Sequence, residues 1–482
     1  ADKPSQLQFV LVKENRDSMK AVGDLAQGMH LGPKVFSYAG TKDKRAVTSQ
    51  VKTGCVYTTA TEHKGEARRV PLLAVGNFTY VANPIRLGSL GGNQFTIVLR
   101  AVDIAQEQST RSCCRRVNVV NRALEALSAS GFVNYFGMQR FGTQKIPTHA
   151  IGRAVLQGRF DRAVAYILMP RFPLKSKPNR DGESQECASA RKYFMDSRDA
   201  QGALDRLPKY LHVERAVLAT LANAGINAFE NAIVRIPRNT RLLYVHAFQS
   251  YVWLACVMRN FSRNEMVSAR LKLNSSGLVV GDLVLKQVGS QVAEELVEDE
   301  ADPEENGDEK REDGPAETDG IQVVVTQADI DTNMLSLSDL VLPLPGSGVT
   351  YPANLSQQYH DILNSNGLSQ DSFSKSTQKR RDFRLIGRYR KVILKPSALK
   401  WQHFLYNDPD LPLTLNDLER SRGCAEPSTI PGVCFTPITA DGKHRAIKLQ
   451  FSLPPSTYAT MLLRELLKQR TTSEYHKSLS SS

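Results

Sequence analysis

Both ends of this chain read as mixed strand and helix, while the stretch between them reads as helix, and that order constrains the fold more than any other feature. Near the start, residues 8–12 are β-rich, 17–27 have helical spacing, 34–39 form a short strand and 93–100 another. From about residue 110 the apolar positions recur at helical spacing, in 116–129, 149–168, 214–223 and 241–260. Short strands return at 278–285 and 321–325. The chain closes on a strand at 389–394 and a helix at 458–468. Like ends around an unlike middle predict one discontinuous α+β domain interrupted by a large insertion, and 482 residues are enough to build both.

Charge sharpens the class of partner. The chain carries 62 Lys+Arg against 49 Asp+Glu, a formal net charge of +13, but residues 294–319 alone hold 14 acids and 2 bases. The remainder is therefore close to +25, a field that attracts polyanions. No apolar run approaches the roughly 18 residues that span a bilayer, and no basic helix has an interfacial aromatic face, so nucleic acid is the expected partner and a membrane is not. The acidic stretch lacks aromatics and predicts a solvated, disordered surface insertion; an RNA mimic competing for the basic surface is the other reading. Seven scattered cysteines without a CxxC pair, and nine histidines without an HExxH or a pair at helical spacing, predict free thiols in a reducing compartment and no metal site. The opening Ala1-Asp2-Lys3-Pro4 predicts processing, truncation or a further upstream segment.

Five segments hold the candidate chemistry. At 39–46 (AGTKDKRA) a strand ends at a glycine and a tight loop presents Asp43 among Lys42, Lys44 and Arg45. Neighbouring cations keep a carboxylate ionised for nucleophilic or base catalysis and hold phosphates near it; a solvated turn has the same composition. At 131–142 (GFVNYFGMQRFG) four aromatics alternate with Asn134, Gln139, Arg140 and three glycines, suited to stacking on exposed bases or to plugging a core between domains. The helix opening at 246–253 is mostly core, with Gln249 and Ser250 as candidates to line a cleft. Residues 379–391 hold seven cations and one acid with Phe383 and Tyr389 interleaved, a phosphate-tracking surface or a solvated charged face. Residues 451–460 make a Pro-stiffened entry to the last helix.

Taken together, GTKDKRA at 40–46, NQFTIVLR at 93–100, NYFGMQRFG at 134–142, PRNTRLLYVHAFQSYVW at 237–253, LPLPG at 342–346 and FSLPPSTYATMLLRE at 451–465 resemble the TruD family of RNA pseudouridine synthases. The blocks follow family order over nearly the whole chain. The resemblance implies a pseudouridine synthase fold of mixed, largely antiparallel sheet with helices. Residues 1–130 and 353–482 would form the catalytic domain and 131–352 the TruD insertion domain.

It further implies that Asp43 is the catalytic aspartate in isomerising uridine to pseudouridine, with no cofactor and no metal. Phe136 would stack on the target base and Asn134 would orient the uracil or the Asp43 loop. Lys42, Lys44, Arg45 and Arg140 would contact the RNA. The family pairs its aspartate with a basic residue well upstream, and the chain starts only 42 residues before Asp43, so that partner is expected to lie outside it. The expected partner is RNA, tRNA first (position 13 being the family's target), then mRNA, snRNA or rRNA. The chain is expected to be a monomer outside any ribonucleoprotein assembly. Nucleus and cytoplasm are the expected compartments, with the mitochondrion as alternative. The competing function is an RNA-binding assembly or ribosome-maturation factor retaining the fold with reduced or lost catalysis. An N-glycosidase fares worse, because hydrolysis needs a second group to activate water and no acid neighbours Asp43 in sequence.

Overall fold

The computed structural model describes residues 6–40, 42–44, 46–55, 73–86, 89–100, 102, 110–142, 146–170, 183–260, 276–286, 321–373, 383, 385–407, 413–421 and 444–468. The acidic stretch at 294–319 and Arg45 lie outside them. The chain divides into two compact units, one from the described residues within 1–129 and 396–456, the other from those within 130–395 and from 457 onward. All pairings between the strands named below are antiparallel, as expected of an α+β chain.

In the first unit, strands Phe36–Tyr38, Val47–Cys55, Gln6–Glu14 and Leu73–Val81 lie side by side in that order. The alternation of QLQFVLVKE puts Phe9 and Leu11 on one face. Helix Ser18–Gly28 covers that face with Ala21, Val22 and Ala26. Asp17 starts the helix by accepting the N–H groups of Met19 and Lys20, which otherwise have no partner in the first turn. A second sheet runs Ser397–Tyr406, His444–Leu453, Asn93–Leu99, so its central strand comes from the far end of the chain. Phe95 lies opposite Phe451 in register, their rings stacked at 5.4 Å. Asn121 of helix Thr110–Ser130 ties that helix to the sheet, its Oδ1 accepting Trp401 Nε1–H and His403 Nε2–H, both at 2.9 Å.

The second unit is mainly helical, with its core around the fully buried Trp253 of the long helix Arg238–Asn260. Its four-stranded sheet runs Arg388–Lys391, Leu340–Leu344, Leu283–Lys286, Ile321–Val324. Three sequence expectations need correction here. The helix expected over 149–168 is two helices, Thr148–Leu156 and Phe160–Leu168, separated where Gly158 adopts φ +70°. The strand expected over 278–285 is confined to Leu283–Lys286, because Gly281 turns the chain at φ +93° just before it. The strand expected over 389–394 is two: Arg388–Lys391 pairs with Leu340–Leu344, and Ile393–Leu394 with Phe132–Val133. Val392 between them is the switch point, its N–H going to Leu340 O at 3.0 Å and its own carbonyl accepting Asn134 N–H at 2.8 Å.

Two consequences of the helical packing are testable. A Cβ placed on Gly152 would lie 1.9 Å from Tyr244 O of the long helix, so only glycine permits this approach. Gly152→Ala is expected to cost about 2 kcal/mol or more by forcing the helices apart, measured as a lower urea midpoint. His149 stacks flat on Tyr251 at 4.3 Å and meets Phe141 edge-on, and burial, with Arg153 adding to it, pushes its pKa down to about 4. The neutral ring is the folded form, whereas the unfolded chain takes up its proton near pH 6.5. The stability it lends is therefore full above about pH 6.5 and is lost as pH falls through about 4. His149→Phe keeps the stack, and its unfolding free energy should fall less than wild type's between pH 7 and pH 5.

Candidate active site

The loop bearing Asp43 leaves the short strand Phe36–Tyr38 and re-enters the sheet at Val47, and its backbone is held from several sides. Ser18 Oγ, at the start of the covering helix, accepts Lys42 N–H at 2.9 Å and donates to Lys42 O at 3.3 Å. Lys13 Nζ donates to Asp43 O at 2.7 Å and to Lys42 O at 3.3 Å. Gln50 Nε2–H donates to Gly40 O, and Asn15 N–H to Ala46 O at 3.1 Å. The Lys42 side chain turns to Asn93, donating to its Oδ1, and burial pushes its ammonium below the usual lysine range while the Asp43 charge opposes that shift. Asp43 and Lys44 are exposed. The result is a carboxylate presented to solvent on a braced backbone.

Lys13 is the residue that reading the sequence missed. Its signal was present, since strand alternation places it on the same face as Phe9 and Leu11, and it is only 2% exposed. Burial pushes its pKa down, while the charges of Asp17 and Asp43 oppose the shift.

Asn134, Phe136 and Arg140 form a cluster within the second unit. Asn134 is buried, and both ends of its carboxamide are engaged: Nδ2–H donates to Lys391 O at 3.1 Å and Oδ1 accepts Arg390 Nη2–H at 2.7 Å. Arg390 also donates from Nε and Nη2 to Asn134 O at 3.2 and 3.1 Å. Its guanidinium lies 4.0 Å from the centre of the Phe136 ring, a cation–π contact. Trp253 and Tyr458 meet Phe136 edge-on at 5.5 and 6.4 Å. Gly137 lets Tyr458 this close, because a Cβ there would lie 2.6 Å from the Tyr458 ring. Arg140 is buried as well, its Nε–H donating to Ser250 Oγ at 3.2 Å.

Two sequence readings change on this evidence. Gln249 and Ser250, read as candidates to line a cleft, are both buried among the described residues, and Gln249 Nε2 bridges Pro345 O and Ile386 O. Arg390, read as part of a phosphate-tracking run, is buried and points its donors at Asn134, while 374–382 and 384 lie outside the described residues.

The model of the family described as tRNA pseudouridine synthase D (TruD) matches residues 2–466. Pseudouridylate synthase 7 homolog of Bos taurus is 36% identical over 97% of this chain and 60% of its own length. Multisubstrate pseudouridine synthase 7 of Schizosaccharomyces pombe is 34% identical over 96% of this chain and 62% of its own. The chain thus spans about three fifths of the length of these curated relatives. A crystal structure from Methanosarcina mazei, assigned to tRNA pseudouridine synthase D, superposes with a TM-score of 0.60 at 22% identity, covering 98% of this chain and 89% of that one, a likeness of fold. With the family's blocks in order along the sequence and its model matched from residue 2 to residue 466, this chain belongs to the tRNA pseudouridine synthase D (TruD) family.

Proposed function

We propose that this chain isomerises uridine to pseudouridine in RNA, with Asp43 as the catalytic carboxylate and tRNA as the first substrate class. The observation that carries the reading is the exposed Asp43 on a loop whose backbone is pinned by Lys13, Ser18 and Gln50, within a family-matched chain. A carboxylate fixed at its backbone and open to solvent suits attack on, or proton removal from, the ribose of a nucleotide turned out of its helix. The bond between N1 and C1′ breaks, the base turns, and C5 joins C1′. The C5 hydrogen leaves as a proton and N1 gains one, so the balance needs no oxidant and no second substrate. Extrusion costs a few kcal/mol and least for an unpaired base, which makes loops and junctions the expected targets. The basic surface supplies the phosphate affinity.

The test is RNA transcribed with uridine tritiated at C5. Release of label to water by the wild-type chain supports the proposal. Tight RNA binding with no release would overturn it in favour of a binding or assembly role.

A further inference from the structure

The face of the first sheet beneath the Asp43 loop contains an arrangement that packing alone does not explain. Phe9 and Leu11 on this face meet the helix Ser18–Gly28 as apolar side chains, yet the next position in the alternation is Lys13, and across the sheet Lys52 lies opposite Phe9. Both lysines are buried, Lys13 at 2% exposed and Lys52 at 0%. An ammonium without water is costly unless acceptors replace its hydration. The two residues answer that cost differently. Among the described residues Lys52 Nζ has no hydrogen-bond partner, and it rests 4.5 Å from the centre of the Tyr38 ring; burial, and then repulsion from Lys13, bring its pKa to about 8. Lys13 instead holds two acceptors, and both are backbone carbonyls of the loop, Lys42 O and Asp43 O.

From this we infer that Lys13 is a positioning residue for Asp43, an interior brace that fixes the backbone from which the carboxylate projects. The inference rests on the reading of Asp43 as the catalytic group. Three features support it. The shorter of the two bonds, 2.7 Å, goes to the carbonyl of Asp43 itself. The preceding residue is gripped from the helix side by Ser18, which is 1% exposed, bonds both the N–H and the carbonyl of Lys42 and shares Lys42 O with Lys13. And the brace is a buried charge, which salt does not screen as it screens the exposed Lys44. The carbonyl of Asp43 sits only a few bonds from its carboxylate, so a loop free to shift by 1 Å carries the reactive oxygen with it. Misplacement of that size is worth roughly 10²-fold in rate.

The test compares Lys13→Met, Lys13→Arg and Ser18→Ala with wild type in three measurements. These are single-turnover tritium release at saturating RNA, RNA affinity by filter binding, and hydrogen exchange of the peptide spanning the loop. Lys13→Met is expected to lose about 100-fold in single-turnover rate, keep RNA affinity within about twofold and exchange the loop amides faster. Lys13→Arg, which retains donors and charge, should recover part of the rate. Ser18→Ala should show a smaller loss of the same kind. Lys13→Met and Ser18→Ala effects should combine non-additively, because both side chains bond Lys42 O.

A Lys13→Met chain that reacts and exchanges like wild type overturns the inference and leaves the role of Asp43 standing. So does one whose rate falls only in proportion to its RNA affinity. If Lys13→Met does not fold, a wild-type rate in Ser18→Ala overturns it. If wild type itself releases no tritium, the reading of Asp43 has failed, and loop exchange in the variants decides separately whether Lys13 holds the loop.

Discussion

An Asp43→Asn chain is expected to bind RNA at least as tightly as wild type and to release tritium slower by on the order of 10⁴-fold, the upper end for loss of an acid–base group. The substitution changes one oxygen to NH₂ and removes the charge that either route at the ribose requires. What makes it a clean experiment is the geometry of the loop. The bonds that hold its backbone go to Gly40 O, Lys42 N–H, Lys42 O, Asp43 O and Ala46 O, none of them to the Asp43 carboxylate, so Asn at this position leaves each of them in place. Unfolding midpoints should therefore match. Affinity should rise slightly if it changes at all, because a negative charge is removed from beside the exposed Lys44, where phosphates are expected. Asp43→Glu should be nearly as inactive: with the backbone fixed, the extra methylene overshoots. A measurable turnover in Asp43→Asn would move the chemistry to another residue.

The second large effect is on stability. Arg390→Met removes three N–H donations to Asn134 and the guanidinium lying against Phe136. Asn134 is 1% exposed, so its carbonyl and side-chain oxygens lose these donors with no water to replace them. Bonds from a charged donor are worth roughly 1.5–3 kcal/mol each, and the total is expected to be on the order of 4 kcal/mol because bonds sharing one acceptor do not add fully. Arg390→Lys should rescue little. A lysine has one nitrogen where the arginine fork reaches two oxygens and a ring at once. Guanidinium chloride unfolding followed by tryptophan fluorescence in a Trp401→Phe background reads the loss directly, since the remaining indole, Trp253, lies 5.4 Å from the Arg390 guanidinium. A loss below 1 kcal/mol would mean that this cluster is not the anchor the distances describe.

Local pattern made much of the fold legible. The strand at 93–100, the helix at 17–27 and the helix at 241–260 all appear within a few residues of where periodicity places them, as Asn93–Leu99, Ser18–Gly28 and Arg238–Asn260. The failures share a cause: the deciding contact lies far away in sequence. Residues 389–394 have uniform strand composition, and only the partners Leu340 and Asn134, on different elements, divide them at Val392. Arg390 reads as one cation in a basic run. Its inward turn is set by an asparagine 256 positions earlier, which no local window contains. Lys13 is the intermediate case, since alternation marks its side chain as buried, but the carbonyls that justify a buried ammonium belong to a loop 29 and 30 residues on. The Asp43 loop itself was legible as a motif, whereas the brace beneath it was not.

The order of strands in the second sheet of the first unit bears on how this chain is made. Strand Asn93–Leu99 pairs with His444–Leu453, and the next residues along, from Tyr458, complete the packing around Gly137 and Phe136 in the other unit. The second sheet of the first unit cannot be completed until His444–Leu453 has left the ribosome, whereas the core of Phe9, Leu11, Ala21, Val22, Ala26 and Phe36 needs nothing beyond the early strands and helix. At roughly 5–20 residues per second, the first strand waits tens of seconds for its partner. Throughout that time the strand Asn93–Leu99 lacks the partner it pairs with in the finished sheet, and an unpaired strand edge is a template for pairing with other chains.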